Sequence, residues 1–342
     1  MHRADKAVLR VTVGMGLAVS IAYGFSLPLS FAVCALAFLL LAKPGPPGPL
    51  AKGLVSGLVI AGVVVAGVLM VPLLRYYPVT ALMLSATLLF AVFYAGARKA
   101  SPITIFLVVA LTFIPVAGMI DQAMTTALAQ SVGFGLAIGA VVSVVSHALF
   151  PDPPAVKGAA PVVGASAENA RWQAFQATLV IMPVFVVALT NPAMYLPAIM
   201  KTVMVGQQAN ATNARSAGWE LLGSTLMGAV MATAVWAGLT LLPNLWMLTL
   251  WVMAAAHWTA TKMFRVKPTS FPPSFWLNAF ITVLILIGPG IEDAAAGKDV
   301  YAASATRLAI FVFVALYGWA TVWVLERWRS AYNPGKTWQK AE

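Results

Sequence analysis

Lys201 is the side chain in this sequence best placed to do chemistry. It closes a charge-free tract that opens after Arg171, with Pro197 before it and Gln207, Gln208, Asn210 and Asn213 after it. On one helix, Pro197, Lys201, Gln208 and Thr212 share a side, with Gln207 beside them and Asn210 and Asn213 at the end of that polar face. An ammonium within an apolar span costs about 2.5–3.5 kcal/mol on insertion scales, so it needs an anion, a hydrated cavity or an acidic partner. Lys201 therefore either offers itself to a substrate carboxylate or is ion-paired to an acid of another segment or reaches the interface.

Arg307 poses the same alternative: it contacts substrate, or it is held by Asp299, Asp121 or a backbone carbonyl. Asn278 and Thr282 lie one helical turn apart and suit the polar lining of a cavity. The groups able to carry protons are Glu220, Asp121, Asp299 and His257, all near segment ends, with no acid at mid-segment. A histidine titrates near neutral pH, but His257 beside Trp258 is equally a packed, hydrogen-bonded residue. Trp246, Trp251, Trp258, Phe271, Phe275 and Trp276 make either interfacial anchors or a stacking wall for an aromatic ligand.

No Ser-His-Asp set, paired catalytic carboxylates or His-x-x-x-His spacing occurs, so the expectation is a non-enzyme without cofactor or metal. Cys34 is the single cysteine, which excludes an internal disulfide and a multi-cysteine metal site. No GxxxxGK[ST] motif occurs, which disfavours a self-contained ATP-driven pump.

The elements that position these residues are set by where charge is absent. Arg10 to Lys43, Lys52 to Arg75, Arg75 to Arg98, Lys99 to Asp121, Asp121 to Asp152, Arg171 to Lys201, Glu220 to Lys262 and Lys267 to Glu292 each bound a tract without Asp, Glu, Lys or Arg. Each is long enough for the roughly 20 apolar residues of a spanning helix. With 61% hydrophobic and 9% charged residues and a mean hydropathy of +0.88, the chain lies far from a soluble domain. Backbone groups in lipid must be satisfied internally, and the tracts do not alternate as barrel strands do, so the fold class is an all-α polytopic membrane protein.

Turn signals divide the tracts into about twelve transmembrane helices near 7–25, 28–43, 53–73, 78–97, 102–119, 124–149, 173–190, 193–209, 218–242, 245–262, 273–290 and 301–325. The second, eighth and eleventh are short and proline-marked, by Pro28, Pro197 and Pro272-Pro273, a trait of cavity-lining segments. With both termini cytoplasmic, all Lys and Arg fall in cytoplasmic segments except Arg75 and Lys298 outside and Lys201 and Arg307 within spans. That is a positive-inside pattern, and it accounts for the net charge of +11 without a nucleic-acid partner.

The proline-containing stretch 151–172 reads as a cytoplasmic linker between residues 1–150 and 173–326, with 327–342 as a cytoplasmic tail. The halves share a basic start (Arg10; Arg171), glycine-spaced third spans (Gly53, Gly57, Gly62; Gly218, Gly223, Gly228) and an outer aspartate before the sixth span (Asp121; Asp299). Six spans each leave both halves in one orientation, giving two parallel six-helix repeats about an axis along the membrane normal. The small-residue spacing suits close helix approach.

Six spans, a connector and six more, with Asp299 followed by Arg307 and an Arg215-x-x-Gly218 start to the ninth span, resemble the fusaric-acid-resistance superfamily of bacterial inner-membrane transporters. The sequence looks most like a compact branch, first catalogued as a domain of unknown function and lacking the large cytoplasmic domains of other members. The resemblance implies export of aromatic carboxylic acids or related toxic organic compounds, with protons as one route of coupling. It also implies a homo-oligomer, a dimer favoured, with a periplasmic membrane-fusion adaptor and an outer-membrane channel. Plant relatives that are anion channels supply the alternative of passive flux, and a scaffold subunit of an envelope complex is a third. Under this reading Lys201, Gln207, Gln208, Asn210, Arg307 and Asn278 meet the substrate, while Glu220, Asp121, Asp299 and His257 serve coupling.

Overall fold

A computed structural model gives the fold, and it describes residues 2–42, 50–101, 103–151, 164–192, 194–196, 198–199, 202–203 and 214–332. Among these, eleven helices follow in order: α1 Arg3–Gly24, α2 Ser30–Leu41, α3 Leu50–Tyr76, α4 Pro78–Lys99, α5 Thr104–Ile120, α6 Gln122–Leu149, α7 Ala167–Thr190, α8 Ala214–Leu241, α9 Leu245–Met263, α10 Pro273–Ala295 and α11 Val300–Tyr332. Strands are absent from the described residues. Seven of these helices are long and apolar enough to cross a membrane by length and composition: α1, α4, α6, α7, α8, α10 and α11. Shorter apolar helices comprise α2, residues 62–76 of α3, and α5.

Helix starts follow from their first residues. Asp121 accepts a bond from Met124 N at 2.6 Å, Ser166 from Asn169 N at 3.3 Å, and Asn244 from Met247 N at 2.8 Å. Asp299 accepts from Tyr301 N and Ala302 N. Each satisfies amide groups that the first turn leaves without a helical partner. Pro78 and Pro273 open α4 and α10, where a missing N–H costs nothing.

Three helices form the interior. Nearly all of α2 is buried, α5 is buried from Val108 to Gly118, and α10 from Asn278 to Gly290. Around them, α4, α6 and α11 bury one face and expose Met83, Val141, Phe313 and Trp323 on others. Apolar side chains exposed along whole helices suit lipid and not water, which makes the chain a multi-pass membrane protein.

α5 packs on α3, α4, α6 and α7; α10 packs on α8, α9, α11 and α2. The two halves interlock, since α1 packs against α9 and α7 against α4. Phe38 of α2 meets Phe280 of α10 with ring centroids 4.6 Å apart. Cross-helix bonds gather at two opposite ends. Lys6 Nζ donates to Pro151 O at 2.9 Å and Arg98 to Ala165 O at 3.2 Å at one end, and Arg75 donates to Gly118 O at 3.1 Å at the other.

Several expected boundaries move. The stretch 151–172 is not all connector, because Ser166 caps α7 and Ala167–Trp172 is helical with Glu168 in the first turn. The tail expected from 327 is helical through Tyr332, as α11 continues past the apolar run. Of the short spans, 28–43 and 273–290 correspond to α2 and α10, both largely buried, while most of 193–209 lies outside the described residues. In the third span it is Gly67, not Gly62, that makes the close approach: a Cβ there would lie 2.9 Å from Ala110 O, whereas Gly62 meets nothing within 4 Å.

Candidate functional site in the seam between α8 and α10

α8 and α10 come together at Gly228, where a Cβ would stand 2.5 Å from Ala279 O and 2.6 Å from Thr282 Cβ. Two polar rows share this seam. Glu220 and Ser224 are one turn apart on α8, and Ser274, Asn278 and Thr282 follow at successive turns on α10. Glu220 is only 4% exposed, and Ser274 Oγ donates to its Oε1. One turn deeper, Asn278 is 1% exposed and its Nδ2 has no hydrogen-bond partner among the described residues.

Apart from Ser274, seam hydroxyls bond within their own helices. Ser224 donates to Leu221 O at 3.1 Å, Thr225 to Leu221 O at 2.7 Å and Thr282 to Asn278 O at 2.7 Å. The column thus holds a buried carboxylate at the α8 start and, deeper in, an amide donor able to serve an anionic oxygen. Aromatic rings cover the Glu220 end: Phe271 stacks on Phe275 at 4.1 Å, Trp276 meets Trp258 edge-on at 5.2 Å, and Trp276 Nε1 donates to Thr269 at 3.1 Å. Of the six aromatics named from the sequence, these four gather here. Trp246 stands exposed at the start of α9, at the other end of the bundle, and Trp251 packs on Gly238.

Two cavities adjoin the far half of the seam. One of about 240 Å³ lies between α8, α10 and α11, lined by Thr233, Leu286, Tyr301 and Ser304. Another of about 400 Å³ opens between α1, α8, α9 and α10 beside Tyr23 and Asn244, and Trp236 walls both.

Arg307 sits at this far end, with a partner that the sequence reading did not select. Its guanidinium donates to Asp293 of α10, itself only 7% exposed, and Lys298 stands 3.7 Å from the same carboxylate. Of the structural partners considered, Asp299 and Asp121 instead cap α11 and α6. Asp293 faces α11 across a short loop, and only its place at the end of a buried helix hinted at it.

The remaining candidates scatter. His257 is exposed on α9 and shares a 3.2 Å bond with Thr12 of α1, away from Glu220's partner. Lys201, Gln207, Gln208 and Asn210 lie outside the described residues. The structure therefore brings Glu220 and Asn278 to one seam, adds Ser274 to them, and sets Arg307 at the opposite end.

Fold and seam together define an all-helical, multi-pass membrane protein with a buried polar column in an apolar bundle. Residues 7–150 match a family model described as a protein of unknown function, DUF2955. That match spans α1 to α6 and stops before the α8–α10 seam. No curated protein and no solved structure matches the chain.

Proposed function

We propose that this chain is a secondary exporter of organic anions, aromatic carboxylates foremost, across the bacterial inner membrane, driven by protons through Glu220. The observation that carries this reading is the Glu220–Ser274–Asn278 column, a desolvated carboxylate leading into an apolar seam with an amide donor whose hydrogens meet no described acceptor. Protonating Glu220 removes a charge at the seam and changes the balance between two packings of α8 on α10, which is what coupling requires. Lys201 remains the proposed counter-charge for a substrate carboxylate, with Gln207, Gln208 and Asn210 beside it, and Asn278 is the donor within the seam. Arg307, neutralised by Asp293, serves architecture in this reading.

The resemblance to the fusaric-acid-resistance superfamily supports this assignment. Two parallel six-helix repeats are supported by matching contacts: α3 packs on α4, α5 and α6 as α8 packs on α9, α10 and α11. Gly67 against Ala110 O mirrors Gly228 against Ala279 O. Basic residues at one end set the orientation, with both termini cytoplasmic. A homo-oligomer, a periplasmic adaptor and an outer-membrane channel complete the proposed assembly.

The test is accumulation of benzoate by proteoliposomes under an imposed pH gradient. Wild type should accumulate it against its gradient, Glu220→Gln should pass it only downhill, and Lys201→Ala should pass none. Gradient-driven accumulation by Glu220→Gln would remove Glu220 from coupling. Downhill flux alone from wild type would make the protein a passive anion channel.

A further inference from the structure

At the end of the bundle where basic residues gather, α4, α7 and α11 leave a cleft of about 520 Å³ between them. Its floor is aromatic: Phe90 of α4 and Phe175 and Trp172 of α7. Its rim is cationic, with Arg171 of α7 and Arg329 of α11 beside Trp328. Phe90 lies nine residues before Lys99, the end of α4, roughly 13 Å at 1.5 Å per residue, so the floor reaches well into the apolar layer while the rim stays at headgroup depth.

The rim is built and not merely crowded. Trp172 Nε1 donates to Glu326 at 3.0 Å, a carboxylate that also accepts from Gln176 at 2.7 Å. Arg329 donates to Asn169 at 2.9 Å and lies over the Trp172 ring at 5.2 Å. Arg171 is exposed and forms no hydrogen bond or ion pair among the described residues. Glu168 stands on the same rim, and Glu326 lies behind it, taken up by Trp172 and Gln176. Phe175 and Trp328 are 46% and 67% exposed, so the cleft opens sideways toward lipid and not into the bundle.

We infer that this cleft is a binding site for an anionic phospholipid, its phosphate between Arg171 and Arg329 and its acyl chain along Trp172, Phe175 and Phe90. Guanidinium forks match phosphate oxygens, and aromatic rings at an interface offer an apolar body to the chain. An aromatic carboxylate has a charge for the rim but no tail for the floor.

Native mass spectrometry of the full chain in detergent tests it, with phosphatidylglycerol and phosphatidylcholine of identical acyl chains as probes. Wild type should retain phosphatidylglycerol in preference, Arg171→Gln and Arg329→Gln should each weaken that retention about fivefold, and the double variant should lose the preference. Arg329 also holds Asn169, so if Arg329→Gln does not fold, Arg171→Gln alone decides. Equal retention of the two lipids by wild type, or a preference that survives Arg171→Gln, would overturn the site. Displacement of phosphatidylglycerol by stoichiometric benzoate would overturn it in favour of a small aromatic acid.

Discussion

The α3–α5 and α8–α10 seams are built alike and filled differently. Each brings a glycine of one helix against a backbone carbonyl of its partner, Gly67 at 2.9 Å from Ala110 O and Gly228 at 2.5 Å from Ala279 O for an added Cβ. In the first, α5 buries one polar side chain, Thr112, which returns its hydroxyl to Val108 O at 2.8 Å. In the second, Glu220, Ser224, Thr225, Asn278 and Thr282 are all buried. Close packing is thus the shared architectural device, and among the described residues buried polarity, which costs desolvation, is greater in the second seam. That extra desolvation is what the proposed coupling through Glu220 would use.

The largest effect should come at the Arg307–Asp293 pair of the second half. Asp293→Asn strands Arg307 and should lower stability by about 3–5 kcal/mol, as breaking a buried pair does. Arg75→Met removes a part-buried bond to Gly118 O and should cost about 1 kcal/mol. Thermal unfolding in detergent measures both, and equal losses would break the contrast between the outer ends.

Next come the glycines. Gly228→Ala pushes a methyl group onto backbone and should destabilise by about 1–3 kcal/mol. Gly67→Ala also meets a backbone carbonyl, at 2.9 Å, and both changes gain about 1 kcal/mol of helix propensity, so its loss should be the smaller of the two. The reverse order in melting temperature would show that the first seam is the tighter one.

Asn278→Leu sharpens the polarity contrast. Removing a buried amide donor that has no described partner should relieve up to about 1–3 kcal/mol of desolvation, leaving stability unchanged or raised, while transport falls to background. A destabilised but active variant would make Asn278 a structural residue and erase the distinction between the seams.

The smallest effect is expected from Asp121→Asn and Asp299→Asn. Asparagine caps a helix nearly as well as aspartate, so each should change stability by no more than a few tenths of a kcal/mol and leave the response to a pH gradient intact. Loss of that response in either variant would move coupling from Glu220 to the outer aspartates.

The sequence by itself determined the helices. Charge cannot sit cheaply in lipid, so the fences from Arg10 to Glu292 marked out α1 to α7 and α8 to α11 to within a few residues at most ends, and Asp121 and Asn244 stand where α6 and α9 begin. It erred where composition misled: the polar run Glu168–Trp172 looked like linker, yet Ser166 caps it into α7. Only the tertiary structure decided which polar groups meet. Glu220 and Ser274 are 54 positions apart, Trp172 and Glu326 154, and no periodicity within one helix encodes the face that another will cover. Hydropathy is a property of each segment and survives in isolation, whereas partnership depends on how helices are ordered around α2, α5 and α10, and that order is fixed by packing.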